Sequence, residues 1–151
     1  MPVRRADATW EGGFPRGEGR MKLGSGAFDG RFSFATRMQD EPGANPEELL
    51  GAAHAGCFSM ALAAALTRAG HEPRRIQTRA DVHLDKVGEG FKITRIRLDT
   101  QGDVPGIDEA TFRKFADDAK TNCIISQALR GTPVELNAQM ASTGEGIGTR
   151  S

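Results

Sequence analysis

The sequence predicts an α+β domain in which groups of strands are separated by helices. Two observations carry this prediction. A long uncharged run, Leu49 to Leu66, follows a helix-start signal. Segments in which apolar and polar residues alternate precede and follow that run, and alternation with a period of two is typical of half-buried strands. Strands and helices that occur in separate groups, rather than in strict alternation, indicate α+β architecture.

Three strands are predicted before the long run. Apolar and polar residues alternate in the segments 6–11, 20–23 and 28–34. Glycines and prolines separate these segments, so we expect an antiparallel meander of half-buried strands. A polar loop is predicted to follow from Arg37 to Ala44.

The central helix has a well-marked start and end. Asn45 is the predicted N-cap, Pro46 occupies the first helical position, and Glu47 and Glu48 lie beside the positive end of the helix dipole. Gly70 is expected to close the helix. We therefore predict one continuous helix over this part of the chain.

Two further strands are predicted after this helix. The segments 76–85 and 91–100 alternate and are joined by a glycine-containing turn. Within the second segment the apolar positions change parity between Ile93 and Ile96, which predicts a β-bulge or a strand buried on both faces.

The last predicted elements are two helices and a strand. Asp108 can cap a helix whose apolar residues recur at helical spacing. Asn122 is expected to cap a second, short helix over 123–130. The alternation at 134–140 predicts a final strand.

Length and composition predict a single domain over residues 1–140 and a flexible tail over 141–151. The formal net charge is zero, so the sequence does not favour nucleic acid or an anionic membrane as a partner. The first ten residues contain no apolar run of the kind found in signal peptides. The run 49–66 is short and alanine-rich for a membrane span. We therefore expect a cytoplasmic protein.

Cys57 lies in the middle of the apolar helix. Burial raises the pKa of a thiol, and the helix dipole cannot compensate, because ten residues place Cys57 about 15 Å from Glu47. No Lys or Arg occurs between Glu48 and Arg68. An activating cation must therefore come from elsewhere in the fold or from another chain. Without one, Cys57 is an ordinary core cysteine.

Cys123 is predicted at a helix start, where backbone N–H groups favour a thiolate. A redox role and a purely structural role are equally compatible with that position. A pairing with Cys57 would need a tertiary contact across 66 residues, which sequence spacing does not establish.

A metal site is a further alternative. His54 and Cys57 are three residues apart and share a helix face. No Cys-x-x-Cys or His-Glu-x-x-His pattern completes a ligand set, so His54 is interpreted as a packed, hydrogen-bonded residue and no metal is expected.

The segment N-P-E-E-L-L-G-A-A-H-A-G-C-F-S-M-A-L at 45–62 closely resembles the OsmC branch of the OsmC/Ohr family of organic hydroperoxide reductases. The resemblance extends over nearly the whole chain up to Met140. The other similar segments are W-E-G (10–12), F-A-T-R (34–37), A-D-V-H-L-D-K-V (80–87), G-F-K-I-T-R-I (90–96), V-P-G-I-D (104–108) and C-I-I-S-Q (123–127).

The resemblance implies a site and an assembly. The family's peroxidatic cysteine falls on Cys57, its resolving cysteine on Cys123, its motif glutamate on Glu47 and its arginine on Arg37. Ile124 stands where the family often has proline, which concerns the local geometry of Cys123. The implied fold is an intertwined homodimer in which antiparallel sheets pack on long central helices and the active sites lie at the dimer interface.

The implied activity is a thiol-dependent peroxidase that reduces organic hydroperoxides to alcohols. A sulfenic acid on Cys57 would condense with Cys123 to a disulfide, which a dithiol reductant of lipoyl type would reduce. No cofactor is expected. We interpret Arg37 as the cation that lowers the pKa of Cys57, and Glu47 as the residue that holds Arg37. Helix geometry suggests that Glu47 serves Cys57 of the other subunit and leaves open whether Arg37 acts within or across subunits.

A non-enzymatic protein is the alternative. A redox sensor, or a small-molecule-binding stress protein, could use the same cysteines without turnover. A sensor usually needs an effector surface or domain, and the sequence indicates none.

Overall fold

The computed structural model describes residues 1–141. The chain divides into two compact units, Met1–Leu49 and Leu50–Ser151, which are described separately. The predicted single domain over 1–140 stays a prediction, and the predicted tail lies outside the described residues except for Ala141.

The first unit contains a three-stranded antiparallel sheet. Strands β1 (Ala6–Glu11), β2 (Glu18–Leu23) and β3 (Asp29–Phe32) are ordered β1-β2-β3. This confirms the predicted meander. The prediction that β1 is half-buried was wrong, since all six of its residues are exposed. No helix layer of the first unit covers β1 in the described part of the chain. Alternation of apolar and polar residues does not by itself bury one face of a strand.

A short helix replaces the predicted end of the third strand. Helix α1 spans Phe34–Met38. The sequence predicts Phe34 in the third strand and Arg37 in the polar loop, whereas both residues lie in this helix. The cause is a capping box. Ser33 Oγ accepts a hydrogen bond from the Thr36 N–H at 3.2 Å, and Thr36 Oγ1 accepts one from the Ser33 N–H at 2.8 Å.

Helix α2 spans Pro46–Arg68 and starts as predicted. The Asn45 carboxamide oxygen accepts a hydrogen bond from the Glu48 N–H at 2.8 Å. At the other end Gly70 adopts φ +88°, and the His71 N–H donates to the Leu66 carbonyl at 2.8 Å. Both end signals therefore act as the sequence indicates.

The second unit contains a mixed sheet. Strands β4 (Arg75–Val87), β5 (Gly90–Asp103) and β6 (Val134–Met140) are ordered β4-β5-β6. The antiparallel prediction holds for β4 and β5, but β6 pairs with β5 in parallel. The chain between β5 and β6 is helical and returns to the start of β5, so the next strand enters in the same direction.

The predicted irregularity in β5 is a bulge. His83 pairs with Arg95 and Leu84 pairs with Ile93, so Thr94 is an extra residue opposite an unbroken β4. The insertion changes which face the following side chains occupy, which explains the parity change in the sequence.

Two helices connect β5 to β6. Helix α3 spans Glu109–Asn122 and is capped by the Asp108 carboxylate, which accepts a hydrogen bond from the Thr111 N–H at 2.8 Å. The prediction that Asn122 caps the next helix was wrong. Asn122 belongs to α3, and Cys123 is both the C-cap of α3 and the N-cap of α4, Ile124–Ala128.

The core of the second unit lies between one face of α2, α3 and the sheet. Its fully buried large side chains include Phe58, Leu62 and Leu66 of α2, Ile96 and Leu98 of β5, and Phe112 of α3. The opposite face of α2 is exposed, with Met60 at 76%.

Helix α2 is also long and apolar enough to cross a membrane, by length and composition only. The core helix of a soluble protein passes the same test. One face of α2 packs into the core of the second unit, and 28% of its apolar window is buried there.

Candidate active site

Two thiols meet in the second unit. Cys57 lies on α2 and packs against the core, and Cys123 lies at the junction of α3 and α4 and is 1% exposed. The Cys57 and Cys123 side chains are in contact, close enough for a hydrogen bond between the two sulfurs. No disulfide joins these two cysteines in the structure. The tertiary contact that sequence spacing could not establish is therefore present.

The end of α3 explains how Cys123 reaches α2. Ala116 and Ala119 anchor the last turns of α3 in the core. At Cys123 the backbone leaves the helical conformation, with φ −56° and ψ 130°, before α4 begins. This bend turns the Cys123 side chain into the core, where Cys57 is on the adjoining part of α2.

The surroundings of the two sulfurs shift their pKa values in opposite directions. The pKa of Cys57 is raised, first by burial and then by its hydrogen bond to Cys123, although the N–H groups of Ile125 and Ile124 act against this. For Cys123, burial raises the pKa most, but hydrogen bonds from Cys57, Ser126 and Ile125 together lower it below its ordinary value. These surroundings favour the thiol form of Cys57 and the thiolate form of Cys123.

A buried histidine and a serine lie beside this pair. His54 is fully buried, and its Nε2 is 2.8 Å from Ser126 Oγ. The predicted packed, hydrogen-bonded histidine is confirmed. Burial lowers the pKa of His54, so its ring is neutral near pH 7.

The other two predicted site residues form an ion pair in the first unit. Arg37 Nε lies 3.0 Å and 3.2 Å from the two Glu47 carboxylate oxygens, and Arg37 Nη2 lies 2.7 Å from Oε1. The Glu47 side chain is 12% exposed and that of Arg37 40%. A two-pronged pair of this kind fixes the plane and direction of the guanidinium.

Asn45 holds the elements that carry this pair. Its carboxamide nitrogen donates to the Thr36 carbonyl of α1 at 3.2 Å, while its oxygen caps α2. Arg37 follows Thr36 in α1, and Glu47 lies in the first turn of α2. The Asn45 side chain therefore connects the two helices that carry the Arg37–Glu47 ion pair.

The structure thus assembles the four predicted residues as two pairs. Cys57 and Cys123 meet in the second unit, and Arg37 and Glu47 meet in the first. That Arg37 and Glu47 act on Cys57 stays a prediction. Within residues 1–141 no group of three or more His, Cys, Asp or Glu residues is placed to hold a metal ion.

Ser126 is the residue that the sequence analysis missed. Ser126 lies three residues after Cys123, in the first turn of a helix. The N–H and the side chain of a residue at that position can reach the N-cap residue. That spacing was a usable signal. Its contact with His54, 72 residues away, could not be read from the sequence.

The chain is similar to several known proteins. A family model described as OsmC-like protein matches residues 39–137. The chain is 46% identical over 140 residues to "Peroxiredoxin OsmC" of Escherichia coli K12, with 92% of this chain and 97% of that protein covered. It is 30% identical over 129 residues to "Organic hydroperoxide resistance protein" of Xanthomonas axonopodis pv. citri, with 83% and 87% covered.

Solved structures show the same fold. An organic hydroperoxide resistance protein from Elizabethkingia anophelis superposes with a TM-score of 0.77 at 23% identity, covering 93% of this chain and 98% of that one. OhrB of Bacillus subtilis superposes with a TM-score of 0.68 at 25% identity, covering 91% and 98%. Together with the matched family model and the long alignment to Peroxiredoxin OsmC, this shows that the chain belongs to the OsmC branch of the OsmC/Ohr family.

Proposed function

We propose that this protein is a thiol-dependent peroxidase that reduces organic hydroperoxides to alcohols. The observation that carries the proposal is the contact between Cys57 and Cys123, two thiols 66 residues apart in sequence. Relatives named for peroxiredoxin activity and for organic hydroperoxide resistance support a peroxide-related redox function.

The first step is attack by the Cys57 thiolate on one peroxide oxygen. The O–O bond breaks, an alcohol leaves after taking up a proton, and Cys57 becomes a sulfenic acid. Cys57 suits this role better than Cys123, because Cys57 is partly exposed whereas Cys123 is 1% exposed.

The second step forms a disulfide. The Cys123 sulfur attacks the sulfenic sulfur, the S–O bond breaks, and water leaves. A dithiol reductant, of lipoyl type by family resemblance, then restores both thiols by two exchanges and is itself oxidised to a disulfide. The proposed cycle uses no metal, haem or flavin.

The first step requires a cation near Cys57. Within the second unit the pKa of the Cys57 thiol is raised, so its own surroundings favour the unreactive thiol. Arg37 is our candidate for the missing cation, and Glu47 orients it through the two-pronged pair. A guanidinium in that position would also orient the peroxide.

We further propose that this arginine and glutamate come from the other subunit of a homodimer. Glu47 and Cys57 lie on the same continuous helix α2, and ten residues of helix separate them by about 15 Å along its axis. A second copy of the chain can bring its own Arg37 and Glu47 to that thiol. The exposed apolar face of α2 supports a contact with another copy.

Apolar surroundings favour alkyl or aryl hydroperoxides over hydrogen peroxide. Cys57 is placed among the aliphatic and aromatic residues of the core cluster, and such surroundings gain more from burying a hydrocarbon group than from binding a small polar oxidant. We also propose a cytoplasmic location, where a reducing environment would return both thiols to the reduced form.

The test is steady-state consumption of cumene hydroperoxide with a dithiol reductant. We expect turnover by the unmodified protein and none by Cys57→Ser. Ser59→Ala is the matched control, since Ser59 lies on the same helix but donates its hydroxyl to Thr78 Oγ1 at 2.7 Å. One equivalent of oxidation without turnover would instead favour the redox sensor, and full activity of Cys57→Ser would refute the proposal.

A further inference from the structure

His54 is a buried polar residue that the proposed reaction does not use. It is fully buried on α2, three residues before Cys57. Its Nε2 contacts Ser126 Oγ at 2.8 Å, and its Nδ1 is buried without a hydrogen-bond partner in the described part of the chain. Burying a polar ring costs free energy that its packing alone does not recover, so the contact with Ser126 calls for a functional interpretation.

Ser126 connects this ring to the second thiol. It lies in α4, three residues after Cys123, and both its backbone N–H and its hydroxyl stabilise the Cys123 thiolate. The Ser126 hydroxyl thus contacts His54 Nε2 at 2.8 Å and also acts to lower the pKa of the Cys123 thiol.

The tautomer of His54 sets the direction of the hydrogen bonds. A neutral imidazole carries one N–H. Placing it on Nδ1 would leave a buried donor with no acceptor, which proteins avoid. Placing it on Nε2 lets the ring donate to Ser126 Oγ. The Ser126 hydroxyl hydrogen is then free to point at the Cys123 sulfur.

We propose that His54 Nε2–H, Ser126 Oγ–H and Cys123 Sγ form a directed hydrogen-bond relay that stabilises the thiolate form of Cys123. His54 is a positioning residue in this relay, because it acts on the sulfur through Ser126. The place of the relay in turnover rests on the proposed peroxidase function.

The relay makes Cys123 the better leaving group when the disulfide is reduced. One thiolate of the dithiol attacks the Cys57 sulfur and forms a mixed disulfide, and Cys123 departs as a thiolate that keeps the bonding electron pair. The second thiol of the reductant, on losing its proton, then displaces Cys57. Exchange is faster when the leaving thiol has a lower pKa, and attack at Cys57 also uses the more exposed sulfur.

Other charged or titratable groups near the relay must stay constant in a test. Cys57 faces Cys123 from α2. Lys120 of α3 and Arg130, which follows α4, line a surface groove together with Ser126. Both are cations that would favour a thiolate, so the variants below leave them unchanged.

The decisive measurement is the thiolate titration of Cys123, followed by ultraviolet absorbance. The chain contains two cysteines, so the full-length Cys57→Ser protein has a single thiol to titrate. In that background we expect Ser126→Ala to raise the midpoint, reducing the thiolate fraction about tenfold at a pH below it, the effect of losing one charge-assisted hydrogen bond. Ser126→Thr should restore the midpoint.

The histidine is tested in the same background. His54→Leu removes the donor and should shift the midpoint in the same direction by a smaller amount. His54→Gln places an amide N–H where Nε2–H was and should recover part of the shift. Rescue by the glutamine variant separates a relay from a packing role, because packing depends on shape and the relay depends on a donor.

Thr100→Val is the matched control for structural damage. Thr100 is 1% exposed, and its hydroxyl is hydrogen-bonded to Thr78 and to the Gln77 carbonyl rather than to either cysteine. It should leave the titration midpoint unchanged. An unchanged midpoint in a folded Ser126→Ala protein, checked by circular dichroism, would overturn the proposal, as would an equal shift in Thr100→Val.

A second measurement joins the relay to the chemistry. With Cys57 restored and the disulfide formed, reduction by dithiothreitol should be several-fold slower in Ser126→Ala than in Ser126→Thr. The titration involves no peroxide, so a failure of the proposed peroxidase activity would leave its result standing. Equal reduction rates in the two variants would refute the leaving-group role.

Discussion

At the scale of single residues, the two thiols differ in their surroundings more than in their sequence contexts. Burial and the contact with Cys123 raise the pKa of Cys57, whereas the pKa of Cys123, which burial alone would raise, is lowered by its contacts with Cys57, Ser126 and Ile125. The thiol proposed to attack peroxide is thus the one whose pKa is raised within the second unit. Its activation must come from a group outside that arrangement, and Arg37 is the candidate.

The role of Arg37 predicts a change in pH dependence. A cation beside a thiol lowers its pKa, so removing it in Arg37→Met should move the rise in the rate of Cys57 oxidation to higher pH and slow it at pH 7. Stopped-flow measurement of a single oxidation by cumene hydroperoxide across pH checks this. Arg95→Met is the control, since Arg95 pairs with Glu135 on the second sheet. Superimposable pH profiles for Arg37→Met and the unmodified protein would contradict the role.

Cys123 has a separate predicted effect. Cys123→Ser should complete one reduction of peroxide, because Cys57 can still be oxidised, but it should not cycle with a dithiol, because no disulfide can form. A burst of one alcohol per chain followed by no further turnover, measured by rapid quench, is the expected signature. Steady-state rates equal to those of the unmodified protein would show that Cys123 does not resolve the sulfenic acid.

At the scale of elements, the start of α2 does two things at once. Asn45 caps the helix through its oxygen and binds the Thr36 carbonyl of α1 through its nitrogen. The cap therefore also sets where the Arg37–Glu47 pair lies, since each partner adjoins one of these two contacts. A local stability feature and a candidate catalytic feature depend on the same side chain.

Asn45→Ala should lower the free energy of unfolding by about 1 kcal/mol, the usual effect of losing an N-cap. Asn45→Asp keeps the capping oxygen and loses the donor to Thr36, so it should cost less stability while still loosening the Arg37–Glu47 pair. Urea unfolding measures the first effect and peroxide turnover the second. If Asn45→Asp is as unstable as Asn45→Ala, the cap is not the main contribution of this residue.

At the scale of the whole molecule, much apolar surface is left uncovered in the described chain. Every residue of β1 is exposed, and so is the face of α2 that carries Met60. Large exposed apolar patches are typical of surfaces that meet another protein. A second copy of this chain is the partner that the proposed cross-subunit site requires.

Subunit mixing tests the shared site directly. Cys57→Ser and Arg37→Met should each be strongly impaired alone. If Arg37 serves the partner's Cys57, refolding an equal mixture creates heterodimers with one intact site, and random pairing then restores about a quarter of the original activity. The mixture of Cys57→Ser with the double variant Cys57→Ser/Arg37→Met is the control and should stay inactive. No gain on mixing would place Arg37 and Cys57 of one site in the same chain.

The sequence alone determined the local elements, because their signals are local. Asn45, Gly70 and Asp108 mark helix ends by hydrogen bonds within a few residues, and the parity change in β5 marks a bulge by side-chain alternation. The same reasoning failed where two local signals competed, as at Ser33, whose capping box starts α1 inside a predicted strand.

Only the tertiary structure decided which distant residues meet. The contact of Cys57 with Cys123 and that of His54 with Ser126 depend on how α2, α3 and α4 pack, and packing is not encoded in the spacing of these residues. The parallel pairing of β6 has the same origin, since the path of the intervening helices sets its direction. The direction of each thiol's pKa shift follows from these contacts, because it depends on which hydrogen-bond donors and which buried surface surround the sulfur.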